Sequence, residues 1–172
     1  MPNVRFRKLA ATFAILVLAG IAVALIWVIR GVVGVETRTT SPTHEQVAYC
    51  REYLYITPDI EIEPLAYYVK DGMDYMVRFK FIAQTDDPAL VFDSTQIDSS
   101  EFSADFDFPP GEETHNEIWW DIAGRPLTGA STFVPSSGSD RFFWIMHIGI
   151  AENGDGTLTV YAWRCEHGQY RS

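Results

Sequence analysis

Residues 142–165 read FFWIMHIGIAENGDGTLTVYAWRC and carry the clearest structural signal in the chain. The first part is nearly all apolar as far as Ala151, and the last part, from Thr157, is rich in β-branched and aromatic residues. Between them, residues 152–156 contain Asn-Gly and Asp-Gly, the dipeptides that favour tight chain reversals. The stretch therefore predicts a β-hairpin within an antiparallel sheet.

The length of the hairpin loop decides which side chains share a face, because side chains alternate along each strand. With a loop of two or four residues, one face carries two sets of side chains: Trp144, Met146, Ile148 and Ile150 from the first strand, and Thr159, Tyr161, Trp163 and Cys165 from the second. On that interpretation Cys165 points into the core of the domain.

A helix is predicted ahead of the strands, over residues 42–54. Ser41 is the predicted N-cap and Pro42 the first helical residue, and Val47, Cys50 and Leu54 follow at the spacing of one apolar helix face. If Cys165 faces the same core, a Cys50–Cys165 disulfide would join helix and sheet. Two buried free thiols are the alternative.

Other segments predict further strands. Residues 65–69 and 74–83 have strand-like patterns and are joined by a turn that contains Asp-Gly. In residues 102–108, Phe102, Phe106 and Phe108 alternate with polar side chains. That alternation predicts a strand with an aromatic inner face and an acidic outer face.

Residues 9–29 read LAATFAILVLAGIAVALIWVI and contain no charged residue. About 20 apolar residues in a helix cross the hydrocarbon core of a bilayer, whereas a cleavable signal peptide has an apolar run of about 7–15. Arg5, Arg7 and Lys8 precede the run, which favours a cytoplasmic N-terminus. The sequence predicts a single-pass signal anchor in the cell membrane; a cleaved signal peptide or a buried helix are the alternatives.

The predicted organisation has four parts: a cytoplasmic tail of residues 1–8, a transmembrane helix of residues 9–29, a juxtamembrane linker of residues 30–41, and an extracytoplasmic domain of residues 42–172. The fold class that we expect is α+β. It consists of the N-terminal transmembrane helix and a small domain in which one helix covers an antiparallel sheet.

The charge of the chain is divided unevenly. All 23 acidic residues follow residue 35, but 4 of the 13 basic residues precede it, so the outer part carries 9 − 23 = −14. Such a domain does not bind nucleic acid by neutralising phosphates, and it attracts cations or a basic partner. Between Lys80 and Arg125 the chain contains acids but no Lys or Arg.

This acidic interval is a candidate metal site, since calcium is bound by several carboxylate and carbonyl oxygens. The candidate ligands are Asp98, Glu101, Asp105, Asp107, His115 and Glu117. A solvated acidic surface is the alternative, and no cofactor is otherwise implied. No pair of histidines has metal-binding spacing.

Motifs of known catalytic sites are missing: there is no Gly-x-Ser-x-Gly and no glycine-rich phosphate loop. The adjacent Trp119 and Trp120 must face opposite ways on a strand, so one of them is a candidate partner contact. The sequence therefore favours a non-enzymatic, membrane-anchored interaction or accessory domain that binds a protein partner or an envelope component. A calcium-binding or metal-assisted hydrolytic domain that uses the Asp98–Asp121 region is the second hypothesis.

Overall fold

The computed structural model describes residues 4–72, 75–108, 120–122, 124–135 and 143–167. Its elements are two α-helices and seven strands: α1 (Val4–Val33), β1 (Val35–Thr39), α2 (His44–Tyr53), β2 (Ile62–Asp71), β3 (Met76–Ala83), β4 (Ser103–Ala104), β5 (Thr128–Pro135), β6 (Phe143–Glu152) and β7 (Leu158–His167). All strands pair antiparallel in one sheet of order β1-β2-β3-β7-β6-β5-β4. The predicted α+β domain with an antiparallel sheet is confirmed.

Helix α1 is 30 residues long and contains the whole uncharged run of residues 9–29. Its described side chains, those of Phe13 and of residues 15–29, are all exposed. Within the described part of the chain, no helix has the combination of length and apolarity that defines a candidate membrane span.

The structure corrects the predicted juxtamembrane linker of residues 30–41. Helix α1 continues to Val33, and all five residues of β1 pair with β2. Only Gly34 separates the helix from the sheet. Its φ of +79° lies in the left-handed region, and a Cβ there would lie 2.3 Å from the carbonyl oxygen of Asp71. Glycine is therefore required to turn the chain directly from the helix into the edge of the sheet.

Helix α2 is the predicted covering helix and lies within residues 42–54. Thr43, rather than Ser41, caps it: the Thr43 hydroxyl accepts from the backbone N–H of Gln46, and the Gln46 side chain accepts from the backbone N–H of Thr43. Cys50 and Leu54 are fully buried in the core between α2 and the sheet.

The register of the β6–β7 hairpin corrects the predicted faces. Glu152 pairs with Leu158, so five residues form the loop instead of two or four. Since an odd number shifts the alternation by one position, Cys165 turns away from α2. The helix-side face of these two strands consists of Met146, Ile148, Ile150, Leu158, Val160 and Ala162. Tyr161, Trp163 and Cys165 lie on the opposite face.

The predicted disulfide is therefore wrong. Cys50 and Cys165 are free thiols, and they belong to separate cores on the two faces of the sheet. Burial raises the pKa of both thiols; for Cys165 the nearby Arg78 guanidinium works against that rise. Both sulfurs thus stay protonated and poorly reactive near neutral pH.

Residues 102–108 form a strand only at Ser103–Ala104, in contrast to the longer strand that alternation predicts. Asp105 has a φ of 58°, and this turn carries the chain around the edge of the sheet. As a result Phe102 packs against the helix-side core, while Phe106 and Phe108 pack on the opposite face. The aromatic residues do not share one inner face, and that prediction was wrong.

We predict that both cysteines react only after unfolding. In the full chain in mild detergent, a thiol-specific alkylating reagent at neutral pH should add slowly to the folded protein. Without any reductant, it should add to both Cys50 and Cys165 once denaturant is present. Mass spectrometry measures the adducts. Modification that requires prior reduction would reveal a disulfide and contradict the free-thiol structure.

Candidate functional site

Asp121 is the hub of a polar network on the opposite face of the sheet. Its carboxylate accepts from Lys80 Nζ, from Tyr161 Oη at 2.9 Å and from Arg125 at 2.8 Å. Lys80 and Tyr161 are direct cross-strand partners on β3 and β7, and both are buried. One aspartate therefore holds the loop of residues 120–122 against the centre of the sheet.

The environment of Asp121 has opposing effects on its ionisation. Burial acts to raise the pKa of the carboxyl, but hydrogen bonds from Lys80 and Tyr161 and the charges of Lys80 and Arg125 lower it overall. The pKa of Tyr161 is raised by its own burial and then by its bond to Asp121. At neutral pH the carboxylate is charged and the phenol is neutral, so the network is a stable ion-pair hub.

A cleft of about 430 Å³ lies next to this hub. Nine residues line it: Ala104, Asp105, Arg125, Pro126, Leu127, Thr128, Ile150, Ala151 and Glu152. Leu127, Ile150 and Ala151 are buried and form an apolar floor, whereas Asp105, Arg125 and Glu152 are exposed at the rim. The volume is within the range of small-ligand pockets, about 300–1,000 Å³.

The charged side chains at the rim of the cleft differ in whether they have an ion-pair partner among the described residues. Arg125 is paired with Asp121. The structure gives no hydrogen bond or ion pair to the carboxylates of Asp105 and Glu152 within the described ranges. The cleft therefore offers two carboxylates above an apolar floor, which suits a cationic group on an apolar stem.

The predicted metal ligands are not brought together as far as the structure describes them. Asp98 accepts from the backbone N–H of Ser100 and caps a short 3₁₀ turn, Ser99–Glu101. Asp105 and Asp107 are exposed. Among the described residues no group of three His, Cys, Asp or Glu side chains could hold a metal ion. His115 and Glu117 lie outside the described residues, so calcium binding stays a prediction.

The two tryptophans proposed as partner contacts have different outcomes. Trp120 is buried, with its ring edge-on to those of Phe108 and Tyr161 at centroid distances of 5.9 and 5.4 Å. Trp120 is thus the one of the two that packs in the core of the opposite face, and a partner-contact role stays a prediction for Trp119. Trp119 lies outside the described residues.

Sequence reasoning missed a row of side chains that crosses six strands. Its members are direct cross-strand neighbours: Arg38, Tyr68, Arg78, Trp163, His147 and Ser131. The Arg78 guanidinium lies 5.2 Å from the Trp163 ring centroid, and the His147 ring stacks on Trp163 at 4.4 Å. Only the strand register reveals this row, because its members are scattered through the sequence.

The last two members of this row are hydrogen-bonded: His147 Nδ1 lies 2.6 Å from the Ser131 hydroxyl. The histidine is buried and the serine is exposed. His147 is therefore a hydrogen-bonded core residue in an apolar strand. The pair anchors the outer strand β5 to the centre of the sheet.

Comparisons with known proteins give no match: no protein family, no curated protein and no solved structure resembles the chain significantly.

We predict that Asp121→Asn destabilises the folded chain by about 1–3 kcal/mol at neutral pH, because the buried Lys80 loses its counter-charge. The loss of stability is limited because the Asp121 side chain is 41% exposed, so that solvent screens the ion pair. Denaturant unfolding of the full chain in detergent measures the change, with the exposed Asp107→Asn as the control.

The pH dependence of this loss has a defined sign. The folded-state pKa of Asp121 lies below its unfolded value, so its contribution is present above about pH 4 and disappears as the pH falls through the folded pKa. The difference between wild type and Asp121→Asn should shrink below pH 4. A constant difference down to the lowest pH would contradict the ion-pair role.

Proposed function

We propose that this protein is a single-pass, membrane-anchored interaction domain, with α1 in the bilayer and the acidic domain on the extracytoplasmic side. The observation that carries the proposal is the apolar surface of α1. Every described side chain of this helix is exposed, including Trp27 at 75%, instead of packing on the domain. So much contiguous apolar surface requires either a partner or a membrane.

A bilayer is the occupant that best fits this helix. The run of residues 9–29 is uncharged and lies within one uninterrupted helix, with basic residues before it. The side chains of residues 15–29 are described and exposed, and the sequence supplies the apolar remainder, residues 9–14. The excess of basic residues at the N-terminus supports the cytoplasmic orientation of that end.

The cleft lies at the end of the sheet away from α1. β1 begins at Val35, opposite Asp71, whereas the cleft residues Ile150 and Glu152 are at the other end of the strands, in the rows of Val160 and Leu158. An anchor in the bilayer would therefore leave the cleft directed away from the membrane. This position suits a binding surface better than a lipid contact.

The chemistry of the cleft supports binding of a basic group from a protein partner. Asp105 and Glu152 supply the negative charge, and the domain as a whole adds a long-range attraction for cations. Leu127 and Ile150 offer an apolar surface to the methylene groups of a lysine or arginine side chain. No nucleophile or general base with a catalytic arrangement is evident at the cleft within the described residues.

The second hypothesis, calcium or zinc binding in the acidic region, gains no support from a specific contact. Calorimetry of the full chain with calcium and with zinc tests it directly. Absence of heat and of any shift in melting temperature would eliminate it.

To test the anchor, we would substitute two exposed side chains near the centre of the run, Leu18→Arg with Ile21→Arg. Each arginine should cost about 2.5–3.5 kcal/mol of insertion free energy at the helix centre. The wild-type chain should remain with membranes after alkaline extraction, and the double variant should be released. Leu90→Arg, an exposed leucine outside the helix, is the control that should stay bound. Release of the wild type would refute the anchor.

To test the cleft, we would reverse its charge with Asp105→Lys and Glu152→Lys. A tetralysine peptide should bind the wild-type chain more weakly as salt is raised, and the double variant should lose that binding. Asp86→Lys with Asp107→Lys gives the same change in net charge at exposed positions outside the cleft. Equal loss in both double variants would mean that net charge, and not the cleft, attracts the peptide.

A further inference from the structure

The direct connection between α1 and the sheet brings one end of the domain close to the bilayer. Gly34 is the only residue between Val33 and β1, and it packs against the backbone of Asp71, the last residue of β2. We call this the α1 end of the sheet; it comprises the start of β1, the end of β2, the start of β3, the end of β7, the start of β6 and the end of β5. Because no linker separates the two elements, this end of the sheet lies directly beside the C-terminal end of α1.

Exposed apolar side chains are concentrated at the α1 end. Outside α1, the large apolar side chains that are exposed among the described residues are Val35 at 43%, Leu90 at 57% and Phe133 at 59%. Val35 begins β1. Phe133 pairs with Ile145, and the same row continues through Cys165 to Met76, the first residue of β3. Two of the three are thus at the α1 end.

Half-buried aromatic rings lie at the same end. Tyr75 immediately precedes β3, and Trp144 is at the start of β6. Helix α2 runs back to this end, so that Tyr53 lies edge-on to both, with centroids 5.8 Å from Tyr75 and 5.9 Å from Trp144. Tyr49 stacks on Tyr53 at 5.3 Å. Four amphipathic rings therefore form one cluster beside the helix exit.

Arg164 supports this cluster from beneath. Its guanidinium is buried, lies 4.3 Å from the Tyr53 ring centroid and donates to the Tyr53 carbonyl at 2.6 Å. It also lies 5.1 Å from the ring of Trp144. The cation thus holds both rings in fixed positions, so the cluster is preorganised.

From these observations we infer that the α1 end of the domain, with Val35, Phe133, Tyr75 and Trp144 at its surface, rests in the headgroup region of the bilayer that α1 crosses. Trp and Tyr are enriched at this depth because their rings are apolar and their polar atoms reach water. The inference rests on the proposed membrane anchor and adds a second contact, made by the folded domain itself.

The width of the contact follows from the strand order. β1 and β5 are five strand positions apart, which at about 4.8 Å per strand gives about 24 Å between Val35 and Phe133. A membrane contact of that width restrains the tilt of the domain relative to the bilayer. Charges at the α1 end include the cross-strand neighbours Glu36 and Lys70, of opposite sign, and the exposed Asp71, which pairs with Val35.

The test uses environment-sensitive labels on single introduced cysteines in the full chain, with one chain per phosphatidylcholine nanodisc. Phe133→Cys reports the proposed contact. Leu90→Cys, of nearly equal exposure, is the matched control. Trp27→Cys reports the anchor. Since Cys50 and Cys165 are buried, wild type treated with the same reagent gives the background. Nitroxides attached to the lipid headgroup or to the acyl chain serve as quenchers.

The label at position 133 should be quenched several-fold more by the headgroup nitroxide than the label at 90, while the label at 27 should respond to the acyl-chain nitroxide. Quenching at 27 with equal responses at 133 and 90 overturns the inference and leaves the anchor intact. No quenching at 27 overturns both. Protection of position 133 from aqueous iodide without quenching by lipid shows contact with protein, and this also overturns the inference.

Discussion

The five-residue loop between β6 and β7 is the constraint on which the rest of the domain depends. Asn153 and Asp155 close it: the Asn153 N–H donates to the Thr157 carbonyl at 3.1 Å, and the Asp155 carboxylate accepts from Thr157. This odd loop length puts the small and aliphatic side chains under α2. It turns Tyr161 and Trp163 to the opposite face, so a shift by one residue would exchange the two cores.

The opposite face is unusual because buried cations lie among aromatic rings. Arg78 lies near the rings of Tyr68, Trp120 and Trp163, with distances to the centroids from 5.2 to 5.8 Å. Burial lowers the pKa of its guanidinium, although nearby groups partly oppose that shift. Lys80 instead pairs with Asp121, a carboxylate that it shares with Arg125. The face is thus stabilised by ring quadrupoles and one carboxylate, which replace part of the hydration that the cations lose.

Periodic segments of the sequence predicted their own structure well. Helix α2, strand β3 and the β6–β7 hairpin each have a strong pattern, and each is found near its expected bounds. The register of the hairpin was not predictable, because Asn-Gly and Asp-Gly both favour turns and the sequence does not choose between them. For that reason the prediction of the face on which Cys165 lies was wrong, and with it the prediction of a disulfide to Cys50.

Elements that are stabilised by contacts with distant segments of the same chain were also not predicted from the sequence. β1 is a short, polar strand that exists through its pairing with β2, and nothing local distinguishes it from a linker. The path of residues 102–108 depends on glycines elsewhere: a Cβ on Gly149 would lie 2.6 Å from the ring of Phe108. The cleft combines β4, β6 and residues 125–128, so no contiguous motif marks it.

The single-residue junction at Gly34 also determines how the domain responds to mechanical force. If α1 is anchored in a bilayer as proposed, tension applied at the far end of the domain would travel through Val33 into β1 along the length of that strand. The backbone bonds between β1 and β2 would then be loaded in shear, all together, instead of opening one after another from an end. A polar strand of five residues can in this way act as a mechanical clamp for the whole domain.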